Sequence, residues 1–323
     1  MADHQRRPFG FFGGTKMRKT TILGSVALLA LTGCTTDEPP VATVVPTPRH
    51  LDATRIETPL DSFLPSKHDA LILHQAEARL INQCLNELGY TKNPMPEPES
   101  IQQQDRHSEF IVFPVSQAQQ RGYNSPAPAT PKGSTWDDRA STTQQELIEG
   151  KLRRYKGKDV PEGGCSRVAA DRISEGTKIP EQITGGGVVL DRREQASPTG
   201  LSEAHVEVLR LEAIFKASKD TKIYRMTADW SSCMSKKGHQ YTSPQEAAND
   251  DRWAGDDVTH LEKRTAVADM ECKQQVNYLG VMVSVQSTYE REIMKQRKKE
   301  LAGLRSNTKA WTRNAARVMS QAK

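Results

Sequence analysis

A mostly helical fold is what this sequence predicts. It has two related half-units, each stapled by a disulfide, with a long helix towards the C-terminal end and a disordered tether at the N-terminal end. Three observations carry that expectation. Apolar residues recur at three-to-four spacing in successive segments. Four cysteines lie beyond an apolar leader, in a chain whose first half echoes its second, and six prolines without periodicity crowd the stretch from Thr35 to Pro65. Only 36% of the chain is hydrophobic and 6% aromatic, so the core is modest for this length and part of the chain is expected to stay unpacked.

The leader comes first in the chain. Lys16, Arg18 and Lys19 precede an apolar run from Ile22 to Leu31, and the small residues Thr32 and Gly33 stand before Cys34. This is the three-part layout of a secretory signal. The run is too short for a hydrocarbon core that needs about 20 helical residues to cross. The tetrad Leu31-Thr32-Gly33-Cys34 resembles the lipobox of bacterial lipoproteins. That resemblance implies a diacylglycerol on Cys34, which becomes the new amino terminus and anchors the chain at the extracytoplasmic face of the cell membrane. Residues 1–33 are then a signal peptide and 34–65 a lipidated, Pro-rich tether. A complete signal begins at Met17, which makes Met17 the expected start. A twin-arginine signal built on Arg6-Arg7 is the alternative, and that pair lies far from the apolar run.

Residues 66–176 read as the first helical half-unit. From Ser66 to Leu88 the apolar stripe is Leu73, Ala76, Leu80, Cys84 and Leu88, and Gly89 stands where a C-terminal cap belongs. An irregular insertion over 92–136 carries prolines 94, 96, 98, 126, 128 and 131, with Glu109 to Pro114 as a lone strand. A linker over 177–200 contains Gly185-Gly186-Gly187. The second helical half-unit, 201–305, shows a stripe at Ile223, Met226, Trp230 and Cys233 that stops at Gly238, then a capping box at Ser243-Pro244-Gln245-Glu246. From about Asp257 to Arg305 no proline intervenes, and Cys272, Val276, Leu279, Val283, Gln286 and Ile293 lie close to a heptad stripe. One long helix is expected there, with Gly280 and Gly303 as the places for a break. Residues 306–323 form a basic C-terminal tail.

The cysteines past the leader, Cys84, Cys165, Cys233 and Cys272, are even in number, in a setting where thiols tend to be oxidised. Four cysteines allow three connectivities, and an internal echo favours one. Cys84-Leu-Asn-Glu-Leu-Gly and Cys233-Met-Ser-Lys-Lys-Gly share a cysteine on the apolar stripe and a glycine five residues on. Each is followed by a polar, Pro-containing loop and one further cysteine beside alanines and an aspartate. The pairing expected is Cys84 with Cys165 and Cys233 with Cys272. No cysteine has a second ligand two to four residues away, which argues against a zinc site, and no Cys-x-x-Cys argues for redox catalysis.

With the tetrad, the Pro-rich tether, the paired Cys-x4-Gly segments and Ala-Asp-x-x-Cys272, the chain resembles the uncharacterised secreted lipoproteins of actinobacteria. The resemblance implies the acyl anchor and the envelope setting and brings no catalytic residues.

No motif amounts to an enzyme signature or calls for a cofactor. Gly185-Gly186-Gly187 lacks the following Gly-Lys-Ser or Gly-Lys-Thr of a phosphate cradle and reads as a turn. His205-Val-Glu207 matches half of a zinc deaminase signature whose Pro-Cys-x-x-Cys is absent, and reads as a polar part of a helix. Asn249, Asp250, Asp251, Asp256 and Asp257 bracket Trp253 without the spacing of an EF-hand loop; a solvated acidic turn is the expectation, with calcium ligation as its rival. Paired carboxylates for glycoside hydrolysis are not singled out by spacing.

Charge separates the partner classes. Five of the 45 Lys and Arg but only one of the 40 Asp and Glu lie before Cys34, so most of the formal net charge of +5 belongs to the leader and nucleic acid is not an expected partner. From Arg291 to Lys323, however, ten Lys or Arg face two Glu, and Arg305, Lys309, Arg313 and Arg317 recur every fourth residue. Two readings stand: a frayed, solvated tail, or a contact for a polyanion, meaning anionic lipid or phosphate-containing wall polymer. The function expected is a membrane-anchored, non-catalytic binding module of the cell envelope, with a protein partner on the long helix as a further option. The alternatives are an envelope hydrolase with a dispersed site and a solute-binding accessory of a transporter.

Overall fold

The computed structural model describes residues 47–49, 51–52, 56–101, 110–124, 136–191, 197–255 and 257–321. The signal peptide, the tetrad and Cys34 lie outside them. Helix α1 (Lys67–Leu88) forms where its stripe and caps foretell it: the Ser66 hydroxyl accepts the Asp69 N–H at 3.1 Å, and Gly89, at φ 85°, ends the helix in the left-handed conformation. Short helices α2 (Val115–Arg121), α3 (Trp136–Arg139) and α4 (Thr142–Glu149) follow, then a hairpin of β1 (Arg154–Tyr155) with β2 (Lys158–Asp159), and α5 (Gly164–Ile173). A second antiparallel hairpin, β3 (Gln182–Gly185) with β4 (Val188–Asp191), leads to α6 (Pro198–Ala217) and α7 (Thr221–Lys236). The chain ends in α8 (Pro244–Ala248), α9 (His260–Gln275), α10 (Tyr278–Gln296) and α11 (Lys298–Ser320).

The largest core gathers Leu73, Leu80 and Leu85 of α1, Leu147 of α4, Ile173 of α5, Leu201 of α6 and Trp311 of α11. Residues far apart in sequence therefore meet there, and α11 closes the core against α1 and α5. A second core packs the 3-10 turn Pro59–Phe63 against α6, α10 and α11. A third surrounds Trp230, Met234 and Tyr241 beside α9. The bridges join Cys84 to Cys165 and Cys233 to Cys272, 81 and 39 residues apart, one within each half of the echo. On the chain-entropy model each closes a loop that contributes roughly 4 kcal/mol.

Several expectations are corrected. The tether does not stay unpacked to residue 65, because Leu60 is fully buried and its N–H donates to the buried Glu290 carboxylate at 3.0 Å. Residues 110–114 form no strand: Phe110 inserts against Leu279 and Val283, and Ile111 adopts φ 49°. The insertion is partly helical, since α2 packs on α9. The linker 177–200 holds the β3–β4 hairpin, turned by Gly186 and Gly187 at φ 56° and 82°, which only glycine adopts without strain. A Cβ on Gly186 would lie 2.8 Å from the Glu212 backbone nitrogen, so the turn sits hard against α6.

The run 257–305 is not continuous either. It breaks at Asn277, whose backbone takes φ 52° while its side-chain amide donates to the Pro48 carbonyl at 3.0 Å, and again at Arg297, which ends α10 and precedes α11. Gly280 lies inside α10, where a Cβ would collide with the Pro48 carbonyl, so its smallness lets the backbone at Pro48 lie on the helix. Residues 306–320 are no frayed tail; they continue α11, the longest helix among the described residues.

Candidate functional site

Helix α11 carries two distinct faces. Leu301, Leu304, Thr308, Trp311, Ala315 and Val318 are buried, and this face turns its opposite, Arg305, Lys309, Arg313 and Arg317, to solvent. All four cations are exposed, and among the described residues none makes an ion pair. The Arg305 guanidinium lies 4.4 Å over the Phe63 ring, which steadies the first of them. The structure thus brings together the four residues that spacing singled out. Like charges four apart cost an isolated helix about 0.2–0.5 kcal/mol per pair, so packing of the buried face holds this row in place.

The other side of α11 contributes to a cavity of about 560 Å³ bounded by the α10–α11 junction, α6 and residues 178–183. Its floor is apolar: Ile183, Leu201, Leu304 and Trp311 are each buried. The Trp311 indole N–H is held by the Thr177 hydroxyl at 3.0 Å, which fixes the ring in the wall. Within the cavity His205, 3% exposed, places Nε2 2.7 Å from Glu300 Oε1. Glu300 Oε2 accepts from Arg297 at 3.2 Å, and Arg297 reaches on to Glu212 at 3.3 Å. At the rim stand the exposed Lys178 and Lys299. The lining has an imidazole–carboxylate pair and no serine, threonine or cysteine to act as a nucleophile.

The weaker sequence candidates are not brought together among the described residues. His205 and Glu207 point apart on α6, since Glu207 is half exposed and pairs with Arg210 at 2.8 Å. In the acidic loop, Asp250 accepts from the Arg252 side chain at 2.6 Å and from the Tyr241 hydroxyl at 2.8 Å. The Arg252 hydrogen bonds hold its carboxyl well below the usual range. Among the described residues no three His, Cys, Asp or Glu side chains gather closely enough to hold a metal ion; Asp256 lies outside those residues.

Sequence reading missed the cavity and a set of buried charges. Asp269 and Lys273 pair at 3.0 Å with 0% and 2% of their side chains exposed. Glu290 is fully buried between Leu60 and Gln286, and Arg210, also buried, donates to Asp61 at 2.6 Å. These groups fasten segments 56–65 and 110–114 to the helices. Comparison with protein-family models, with curated proteins and with solved structures found no match for this chain.

Proposed function

We propose that this chain is a lipid-anchored, non-catalytic binding protein on the extracytoplasmic face of the cell membrane, which contacts a polyanionic surface through α11. The observation that carries the reading is the solvent-facing row Arg305, Lys309, Arg313 and Arg317, without ion-pair partners among the described residues. The signal layout and Cys34 tetrad support the anchor, and the two disulfides suit an oxidising compartment. The hydrolase alternative draws no specific support from this cavity, where the single carboxylate, Glu300, is hydrogen-bonded to His205 and Arg297.

Co-sedimentation tests the contact. The full chain carrying Cys34→Ala, which cannot be acylated, is mixed with vesicles of anionic lipid or with phosphate-containing wall polymer over a salt series. Each near-surface charge contributes about 1 kcal/mol at low salt, so replacing all four cations by glutamine is expected to weaken binding roughly a thousandfold. Raising the salt until the Debye length is about 3 Å should erase most of that difference. Equal binding by both proteins at low salt would refute the assignment.

A further inference from the structure

We infer that the cavity beneath the α10–α11 junction is a binding site for a single-chain amphiphile with an anionic head, such as a fatty acid carboxylate. The volume of about 560 Å³ lies within the range of small-molecule sites. The floor is built for an apolar body: Ile183, Leu201, Leu304 and Trp311 present no unsatisfied polar atom to it, since the Trp311 N–H is already donated to Thr177. The rim is built for a negative head. Lys178 and Lys299 are exposed there and make no ion pair among the described residues. The one carboxylate in the lining is paired with the Arg297 guanidinium at 3.2 Å, which offsets its charge, and its other oxygen lies against His205.

Gly303 supplies a second, independent observation. It lines the cavity in the interior of α11, and a Cβ added there would meet nothing within 4 Å. Its φ requires no left-handed conformation and no neighbour approaches it, so neither backbone nor packing accounts for a glycine. A mid-helix glycine costs about 1 kcal/mol relative to alanine. A large side chain at this exposed lining position would instead have room to project across the cavity. The inference is independent of the basic face: Arg305, Lys309, Arg313 and Arg317 are not in the lining.

The test uses the full chain and sub-micellar octanoate, decanoate and dodecanoate, with dodecanol as the uncharged control. Affinity by calorimetry is expected to rise about fourfold per added methylene until the cavity is full. Dodecanoate should bind at least tenfold more tightly than dodecanol, and the double substitution Lys178→Gln, Lys299→Gln should remove that advantage without changing dodecanol. A terminally brominated undecanoate should quench tryptophan fluorescence in the wild type and far less in Trp311→Phe, which locates the ligand. Gly303→Phe, at a position with open space beside it, should lower dodecanoate affinity at least tenfold with a thermal melt no lower than that of the wild type. Equal binding of acid and alcohol, or quenching unaltered in Trp311→Phe, would overturn the assignment. The Trp311 readout decides the matter even if Gly303→Phe does not fold.

Discussion

Removing Lys273 should cost far more than an ion pair four residues apart on a helix ordinarily does, because this one is inside the protein. Lys273 and Asp269 are 2% and 0% exposed; the ammonium donates to Asp269 Oδ2 at 3.0 Å and to the Ile111 carbonyl at 2.7 Å, and Asp269 Oδ1 accepts the Trp230 indole N–H at 2.9 Å. Burial pushes the carboxyl up and the ammonium down, each opposed by the other's charge. Breaking such a pair from one side leaves a buried charge uncompensated and costs about 3 to 5 kcal/mol. Lys273→Met and Asp269→Asn should each fall in that range. The double variant removes both charges and keeps an acceptor for Trp230, leaving chiefly the Ile111 carbonyl unsatisfied, a cost of about 1 to 3 kcal/mol. The coupling should therefore be at least about 3 kcal/mol. Urea unfolding with the disulfides intact measures all four corners of the cycle. The pH dependence gives a second check on Lys273→Met. Its lone Asp269 has a folded pKa above the unfolded one, so the variant is least impaired in acid and loses stability as pH rises. Additive single effects, or a Lys273→Met cost under about 1 kcal/mol, would show that the site is hydrated rather than closed.

Two further outcomes follow from the same physics. Burial pushes the Glu77 carboxyl from 4.5 up to about 7, and His74, 3.9 Å away, is itself held down by burial and offers no charge in return. Folding therefore favours protonated Glu77, and stability falls as pH rises from about 4.5 through 7; Glu77→Gln should raise stability at pH 8 by up to about 3 kcal/mol and leave it unchanged at pH 4, and thermal melts showing no gain at pH 8 would contradict this. Cys34→Ala should abolish fatty-acid labelling and membrane retention in cells, and a variant that fractionates and labels like the wild type would dispose of the lipid anchor.

What could be read in advance was local. Helices α1, α7 and α8 declare themselves by apolar stripes and caps that need no knowledge of the rest of the chain. Ser243 accepts the Glu246 N–H at 3.1 Å as a capping box requires, although the Glu246 carboxylate turns back to Thr242 instead of to the cap residue. The bridge pattern was legible because two segments repeat each other. The β1–β2 hairpin was not, since strands of two residues are too short to show alternation. The Gly186-Gly187 turn was a visible hairpin signal between β-branched residues, and reading it as a loop undervalued it. Asp269 and Lys273 have the spacing of a solvated surface pair, and no one-dimensional pattern marks that face of α9 as buried. The cavity draws on segments more than a hundred residues apart in sequence, so only the folded chain assembles it.

Helix α11 shows why its residues deserve a functional reading in place of a purely structural one. Judged alone it is a poor helix. Arg297 provides no side-chain cap, Gly303 sits near its first turns, and three like-charged pairs run along one face; together these cost roughly 3 kcal/mol. Burial of Leu301, Leu304, Trp311 and Val318, at about 1.5 to 3 kcal/mol for each large side chain, exceeds that sum at least twofold. The fold therefore tolerates the local penalties without needing them, because an alanine at 303 or neutral residues in the row would make a more stable helix. Departures from local consistency that the packing does not require are expected where a protein does its work. In α11 they fall at two places, the lining of the cavity and the solvent-facing row of cations, and those are the two places where ligands are proposed.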